Sequence, residues 1–133
     1  MVDGGTSSGP LILPQLYGGV QRSTADAAFT IGEEATLVIL ASNVGGSRIV
    51  TMPTAIVGRH FKVIWEVEQA GNDRVFTCAG SDVVAVTITT TAITCVDDVN
   101  IGSYLEFTCG VAGTWLVTGE LVVDAVGSVP TIA

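Results

Sequence analysis

The stretch Met52–Glu68 reads Met-Pro-Thr-Ala-Ile-Val-Gly-Arg-His-Phe-Lys-Val-Ile-Trp-Glu-Val-Glu. After Gly58, apolar and mostly polar side chains alternate with a period of two. One face carries Phe61, Val63, Trp65 and Val67, and the other carries His60, Lys62, Ile64, Glu66 and Glu68. Successive side chains of a β-strand leave opposite faces of a sheet, so this alternation predicts a half-buried strand over Arg59–Glu68. The two inward aromatic side chains place the strand at the centre of the expected core.

Strand signals recur along the rest of the chain, separated by turn residues. The further predicted strands are Ala35–Leu40, Ser47–Met52, Arg74–Cys78, Val83–Thr91, Ala92–Val96, Tyr104–Cys109, Thr114–Thr118 and Leu121–Val126. We expect a hairpin turn at Ala70–Asp73 and a turn at Val111–Gly113. Because no segment shows helical periodicity, the predicted fold class is all-β. We expect a single β-sandwich domain over residues 23–126 that is jelly-roll-like, with another Greek-key sandwich as the alternative.

The two ends of the chain differ from this pattern. Residues 1–22 are predicted to form an extended N-terminal arm, because Pro10 and Pro14 disfavour a helix. The apolar residues of this arm are Leu11, Ile12, Leu13, Leu16 and Tyr17. We expect them to contact a neighbouring subunit or another protein, and an ordinary first strand of the sandwich is the alternative. Residues 127–133 are predicted to be an uncharged C-terminal tail.

The composition points to a protein that buries surface against other proteins. Only 14% of the 133 residues are charged, 48% are hydrophobic, the mean hydropathy is +0.59 and the net charge is −8. The five basic residues are scattered, which argues against a nucleic-acid partner. No apolar run approaches the ~18 residues of a membrane helix, and no signal peptide is predicted, so we expect no membrane partner.

The sequence offers no recognisable catalytic or metal-binding pattern. Cys78, Cys95 and Cys109 each come two residues after an apolar residue, so they are predicted to be buried, and a disulfide between two of them stays open. The carboxylate pairs are Glu33–Glu34, Glu66 with Glu68, and Asp97–Asp98. The last pair leaves a calcium contact open. His60 is the only histidine, and it is predicted to be a surface or interface residue. We therefore expect no enzyme, no catalytic residue and no cofactor.

Two segments carry a resemblance to a known family. Ile49–Trp65 resembles the unit "strand, Leu-Pro-Ala-Ala, small residues, Gly, strand" of small virion proteins from tailed bacteriophages, with Met52 where that unit prefers Leu. Gly102–Cys109 followed by Gly113–Gly119 resembles their "Gly-Ser, strand, Gly-x-x-Trp, strand" ending. In this order and spacing, the chain resembles capsid decoration (cement) proteins and, more loosely, head-fibre or tail-associated β-domains.

The resemblance implies a structural protein of the virion. Proteins of that family commonly form homotrimers on the outer capsid surface, bind the major capsid protein, bridge neighbouring capsomers and have no enzymatic activity. This protein would then be made in the host cytoplasm and contact the capsid through its arm. The alternative is a receptor- or glycan-binding head-fibre or tail-fibre β-domain. The aromatic side chains that could stack on a sugar there are Tyr17, Phe29, Phe76 and Tyr104.

Overall fold

The alternating segments fold into strands, as expected of a sequence rich in Val, Ile and Thr. A computed structural model describes residues 19–24, 27–42, 48–69, 73–85, 89–96, 99–121 and 131–132. Within these ranges the protein is all-β, as predicted, and contains no helix. The strands of the described ranges are β1 (Val20–Ser23), β2 (Phe29–Thr30), β3 (Leu37–Leu40), β4 (Arg48–Thr51), β5 (His60–Trp65), β6 (Arg74–Thr77), β7 (Val83–Ala85), β8 (Thr89–Thr90), β9 (Ala92–Val96), β10 (Tyr104–Val111), β11 (Thr114–Glu120) and β12 (Thr131–Ile132).

These strands form two sheets. Counting the described strands, the larger sheet has seven in the order β1-β3-β5-β10-β11-β7-β8, and the smaller has five in the order β12-β9-β6-β4-β2. From β1 to β6, successive strands alternate between the sheets. As a result, β1, β3 and β5 are parallel neighbours in the larger sheet, and β2, β4 and β6 are parallel neighbours in the smaller one. The first half of the chain therefore forms a coil, in which each new strand crosses from one sheet to the other.

The second half of the chain pairs mainly in the antiparallel sense. β10 pairs in this way with both β5 and β11, and β9 with β6, although β7 joins β11 in parallel. The connection from β10 to β11 turns at Gly113, whose φ of 82° suits a residue without a Cβ. The turn predicted at Val111–Gly113 is confirmed. A bulge between Thr108 and Val111 precedes it.

An aromatic cluster fills the space between the sheets. On the larger sheet, Phe61 stacks on Phe107 with 4.7 Å between ring centroids, and Trp115 meets Phe61 edge-on at 5.1 Å. Phe76 of the smaller sheet lies 5.8 Å from Phe107. All four side chains are fully buried, and so is the rest of the inner face of β5. The predicted inward phase of β5 is therefore confirmed, and contacts between the two sheets build a sandwich-like core.

One buried amide links the two sheets. Gln69 accepts a hydrogen bond from the indole Nε1–H of Trp65 at 3.0 Å and donates one to the carbonyl of Cys95 at 3.0 Å. Its backbone exchanges two hydrogen bonds with Val99, at 2.8 and 3.0 Å. Buried polar groups are stable only when they are hydrogen-bonded. Gln69 thus fixes the path of the chain just after β5.

The hairpin predicted at Ala70–Asp73 is wrong. β5 pairs with β3 and β10, whereas β6 pairs with β4 and β9 in the other sheet. Turn residues indicate that the chain changes direction, but they do not specify the sheet to which the next strand belongs. The strand predicted over Val83–Thr91 contains two shorter strands, β7 and β8, which pair in the antiparallel sense.

The jelly-roll topology is not confirmed. Jelly rolls are built from antiparallel strand pairs. Here β1, β3 and β5, and likewise β2, β4 and β6, pair in parallel. Side-chain alternation reports which face of a strand is buried, and it carries no information on the direction of the neighbouring strand.

The predicted ends of the domain fall partly within the sheets. Residues 20–22, assigned to the arm, belong to β1, which pairs with β3. Thr131 and Ile132, assigned to the tail, form β12 and pair with β9. Most of the strand predicted over Leu121–Val126 lies outside the described residues, as does the arm up to residue 18.

Candidate interaction surface

The loop between β4 and β5 presents two exposed aliphatic side chains. Pro53 and Ala55 are buried, whereas Ile56 and Val57 are 51% and 61% exposed. The carbonyl of Pro53 accepts a hydrogen bond from the indole N–H of Trp115 at 3.3 Å. The buried part of the loop is therefore attached directly to the aromatic cluster.

Neighbouring segments hold the backbone of this loop in place. The N–H of Ala55 donates to Oδ2 of Asp82 at 2.8 Å, and its carbonyl accepts from the N–H of Gly113 at 2.9 Å. Three residues on, the N–H of Gly58 donates to the carbonyl of Cys109 at 2.8 Å. A loop fixed in this way loses little conformational entropy when a partner covers it.

Glu33, in the turn before β3, supplies the charged part of this support. Its Oε2 accepts a hydrogen bond from the N–H of Thr54 at 3.1 Å, and its Oε1 forms an ion pair with Arg59. Arg59 also donates to the carbonyl of Thr54 at 2.7 Å. The hydrogen bond from the Thr54 N–H has the larger effect on the pKa of Glu33 and that from Arg59 the smaller; both lower this pKa, because they favour the charged carboxylate. The Glu33 carboxylate thus connects the turn before β3 to the loop between β4 and β5.

The backbone hydrogen bonds with Cys109 and Gly113 bring the loop against the end of β10 and the turn that follows it. Val111, the last residue of β10, is 69% exposed. Ile56, Val57 and Val111 are therefore exposed at one end of the larger sheet, and we call these three residues the apolar tip. Water solvates such side chains poorly, and clustered exposed apolar residues are typical of interaction sites.

An open groove of about 530 Å³ lies beside the apolar tip. Its lining residues are Glu33, Glu34, Ala35, Thr36, Ile56, Val57, Gly58, Arg59 and His60. Three of these side chains already have partners. Arg59 is paired with Glu33, and Nε2 of His60 lies 3.2 Å from Oε2 of Glu106. The groove therefore combines exposed aliphatic groups with carboxylates on a fixed backbone.

The outer face of the larger sheet is a second exposed surface, but its charges are largely paired with one another. Arg22 forms two hydrogen bonds of 3.0 Å with Glu66. The hydrogen bond from Arg22 lowers the pKa of Glu66. Nζ of Lys62 lies 4.5 Å from the centre of the Tyr104 ring. Ile101 is 65% exposed beside this face. With its ions already paired, this face offers less to a charged partner than the groove does.

The three cysteines are buried and free. Burial raises the pKa of Cys78 to about 11 and that of Cys95 to about 12, so both thiols stay protonated at neutral pH and are poor nucleophiles. Cys109 donates a hydrogen bond from Sγ to the carbonyl of Val111 at 3.1 Å. The predicted burial is confirmed, and these cysteines serve as small core side chains.

Several predicted sites fall outside the part of the chain that the structure describes. They are Asp97, Asp98 and the proposed contact residues Leu11, Ile12, Leu13, Leu16 and Tyr17. Within the described ranges, no three His, Cys, Asp or Glu side chains approach closely enough to hold a metal ion. The same ranges contain no helix with the length and apolar character needed to cross a membrane.

The apolar tip was not predicted from the sequence. Ile56 and Val57 read as a short apolar link before Gly58, and without an alternating pattern the sequence does not show whether such a link is buried or exposed. Their position between Pro53 and Gly58, outside the alternating pattern, was the available signal. The Glu33–Arg59 pair spans 26 residues, and no local pattern indicates a contact of that range.

No protein-family model, curated protein or solved structure matches this chain. The resemblance to capsid decoration proteins therefore stays a prediction. The fold and the surface define the class more broadly: an all-β, two-sheet protein with exposed apolar side chains on a fixed end.

Proposed function

We propose that this protein is a structural protein of a bacteriophage virion, which attaches to other proteins and catalyses no reaction. The observation that carries the proposal is the apolar tip, whose side chains are exposed on a backbone held from three neighbouring segments. A protein surface that covers the tip gains about 25 cal/mol for each Å² of apolar area removed from water. Little of that gain is lost to ordering the loop.

The specific form of the proposal follows the family resemblance. In this form the protein is a homotrimer that decorates the outer capsid surface, binds the major capsid protein and bridges neighbouring capsomers. Many identical sites on a shell multiply a modest gain at each site. Neither nucleic acid nor membrane is a partner, and no cofactor is required. The extended N-terminal arm is the finer fold prediction that accompanies this proposal.

Two measurements on the purified protein test the proposal. Light scattering gives the oligomeric state of the free protein, and we expect a trimer. Cosedimentation with capsids that lack this protein then measures saturable binding and its stoichiometry. A soluble single subunit that fails to cosediment at any concentration would refute the proposal.

The contribution of the arm is separable from that of the apolar tip. In the full-length chain, Leu13→Ser combined with Leu16→Ser removes apolar groups from the arm and leaves β1 unchanged. We expect reduced capsid occupancy if Leu11, Ile12, Leu13, Leu16 and Tyr17 form part of the contact. Unchanged occupancy would remove the arm from the proposal and leave the apolar tip as the contact.

The glycan-binding alternative has less support. Sugar sites need exposed aromatic faces, and Phe76 is fully buried while Phe29 packs partly buried against the core. The ring of Tyr104 lies beneath Lys62. Tyr17 lies outside the described residues. A glycan array on the full-length protein tests this alternative, and specific binding to one glycan class would favour it.

A further inference from the structure

The groove beside the apolar tip has an unbalanced charge. Of its two glutamates, Glu33 is paired with Arg59, whereas Glu34 forms no ion pair with any described residue. The histidine that lines the groove lies against Glu106 and not against Glu34. Among the described residues, the exposed carboxylate of Glu34 thus has no cationic partner, in a protein whose net charge is already −8.

The same groove is lined by the two exposed side chains of the loop, Ile56 and Val57. Because Glu34 lines the same groove, a ligand that fills the groove and packs on them also displaces part of the water around Glu34. Removing water strengthens the attraction between that carboxylate and a cation placed beside it. The groove therefore favours a ligand with a positive charge next to an apolar group over a ligand with either feature alone.

From this juxtaposition we infer that the groove binds a segment of another protein, one that places a lysine or arginine against Glu34 and an aliphatic side chain on Ile56 and Val57. The inference rests on the proposed attachment function and names the chemistry of the partner. A second copy of this chain fits the groove poorly. It carries the same net charge of −8. Its Arg22 and Arg59 are already paired with Glu66 and Glu33, its Lys62 lies over the ring of Tyr104, and its Arg74 is buried.

Two short peptides test the groove directly on the full-length protein. The probes are acetyl-Leu-Lys-Leu-amide and acetyl-Leu-Glu-Leu-amide, each titrated into ¹⁵N-labelled protein and followed by amide chemical shifts. We expect the lysine peptide to shift the resonances of residues 33–36 and 56–60 saturably, and to bind about 2- to 5-fold more tightly than the glutamate peptide. Equal affinities, or shifts confined to other residues, would overturn the inference. Peptide-independent shifts of residues 33–36 and 56–60 that grow with protein concentration would also overturn it, because a second copy would then occupy the groove.

Matched variants assign the effect to the carboxylate. Glu34→Gln should abolish the preference for the lysine peptide, whereas Glu120→Gln, at an exposed carboxylate outside the groove, should retain it. Val57→Ser should weaken both peptides to a similar degree and keep the preference. A preference that survives Glu34→Gln would overturn the assignment of the site.

Capsid binding separates this inference from the proposed function. If the wild-type protein cosediments with capsids and Glu34→Gln does so with the same affinity and salt dependence, the inference fails and the proposed function stands. If the wild-type protein does not cosediment, the proposed function fails, and the peptide titration alone decides whether the groove prefers a cation.

Discussion

β5 and the loop that precedes it are consecutive in the chain, yet different forces hold them in place. The inner side chains of β5 are buried between the two sheets, so the position of β5 depends on buried apolar area. The loop leaves Ile56 and Val57 in water and depends on hydrogen bonds that its N–H groups donate to Asp82 and Cys109, and on further bonds with other neighbours. Lost burial should therefore unfold the whole domain, whereas lost hydrogen bonds should loosen the loop alone.

The largest effect is expected from Phe107→Ala. Phe107 stacks on Phe61 and contacts Phe76 across the sheets, and removing a buried aromatic side chain costs about 3–5 kcal/mol of unfolding free energy. Urea denaturation followed by tryptophan fluorescence measures this loss. Leu116→Ala, at a half-exposed position on β11 in the same sheet, is the control and should cost about 0.5 kcal/mol. Similar losses in both variants would contradict the assignment of stability to the inner face.

A smaller but still global effect is expected from Gln69→Leu. The substitution leaves the indole N–H of Trp65 and the carbonyl of Cys95 without their partner, at a cost of about 1–3 kcal/mol. Trp65→Phe removes the indole N–H as well, so the double variant should cost less than the sum of the two single variants. The same urea experiment measures all three. Strict additivity would show that the hydrogen bond between the two side chains contributes nothing.

Glu33→Gln should act on the loop and hardly on global stability. The pKa of Glu33 is lowered in the folded protein. Its contribution is therefore present above the unfolded pKa of about 4.3 and is lost as the pH falls through the lower folded value. Because the carboxylate is half exposed, we expect this contribution to stay below about 1 kcal/mol.

Hydrogen exchange at the amide of Thr54 tests the role of Glu33. Corrected for intrinsic exchange rates, the protection of this amide in the wild-type protein should fall as the pH drops below the unfolded pKa of about 4.3 and through the lower folded pKa of Glu33. Glu33→Gln should lower protection already at neutral pH and remove the acid step. The neighbouring variant Glu34→Gln should leave both unchanged, because no described hydrogen bond joins Glu34 to the loop. An acid step that persists in Glu33→Gln would assign it to another carboxylate.

The sequence predicted those features of the fold that depend on residues close together in the chain. The alternation over Arg59–Glu68 located β5 and its buried face, and the cysteine positions followed from the same phase. The parallel coil from β1 to β6 could not be predicted from the sequence, because its strand pairs join residues about 17 to 26 positions apart. The ties between Glu33 and Arg59 and between Ala55 and Asp82 are equally long-range. The candidate surface is built from such contacts, so the sequence showed its residues but not their juxtaposition.

The smallest effect on stability, and the most informative for function, is expected from Val57→Ser. Val57 is 61% exposed, so its truncation should change the free energy of unfolding by no more than about 0.5 kcal/mol. If a partner buries the side chain, its loss should cost about 1–2 kcal/mol of binding, or about 5- to 30-fold in capsid affinity. Leu116→Ser removes a comparable exposed aliphatic group from β11 and should leave binding unchanged. Cosedimentation of both variants with capsids shows whether binding depends on the apolar tip or on exposed aliphatic side chains in general. If both variants lost capsid affinity equally, any exposed aliphatic side chain on the larger sheet would contribute to binding. The hydrogen bonds that hold the loop would then not be required for capsid binding.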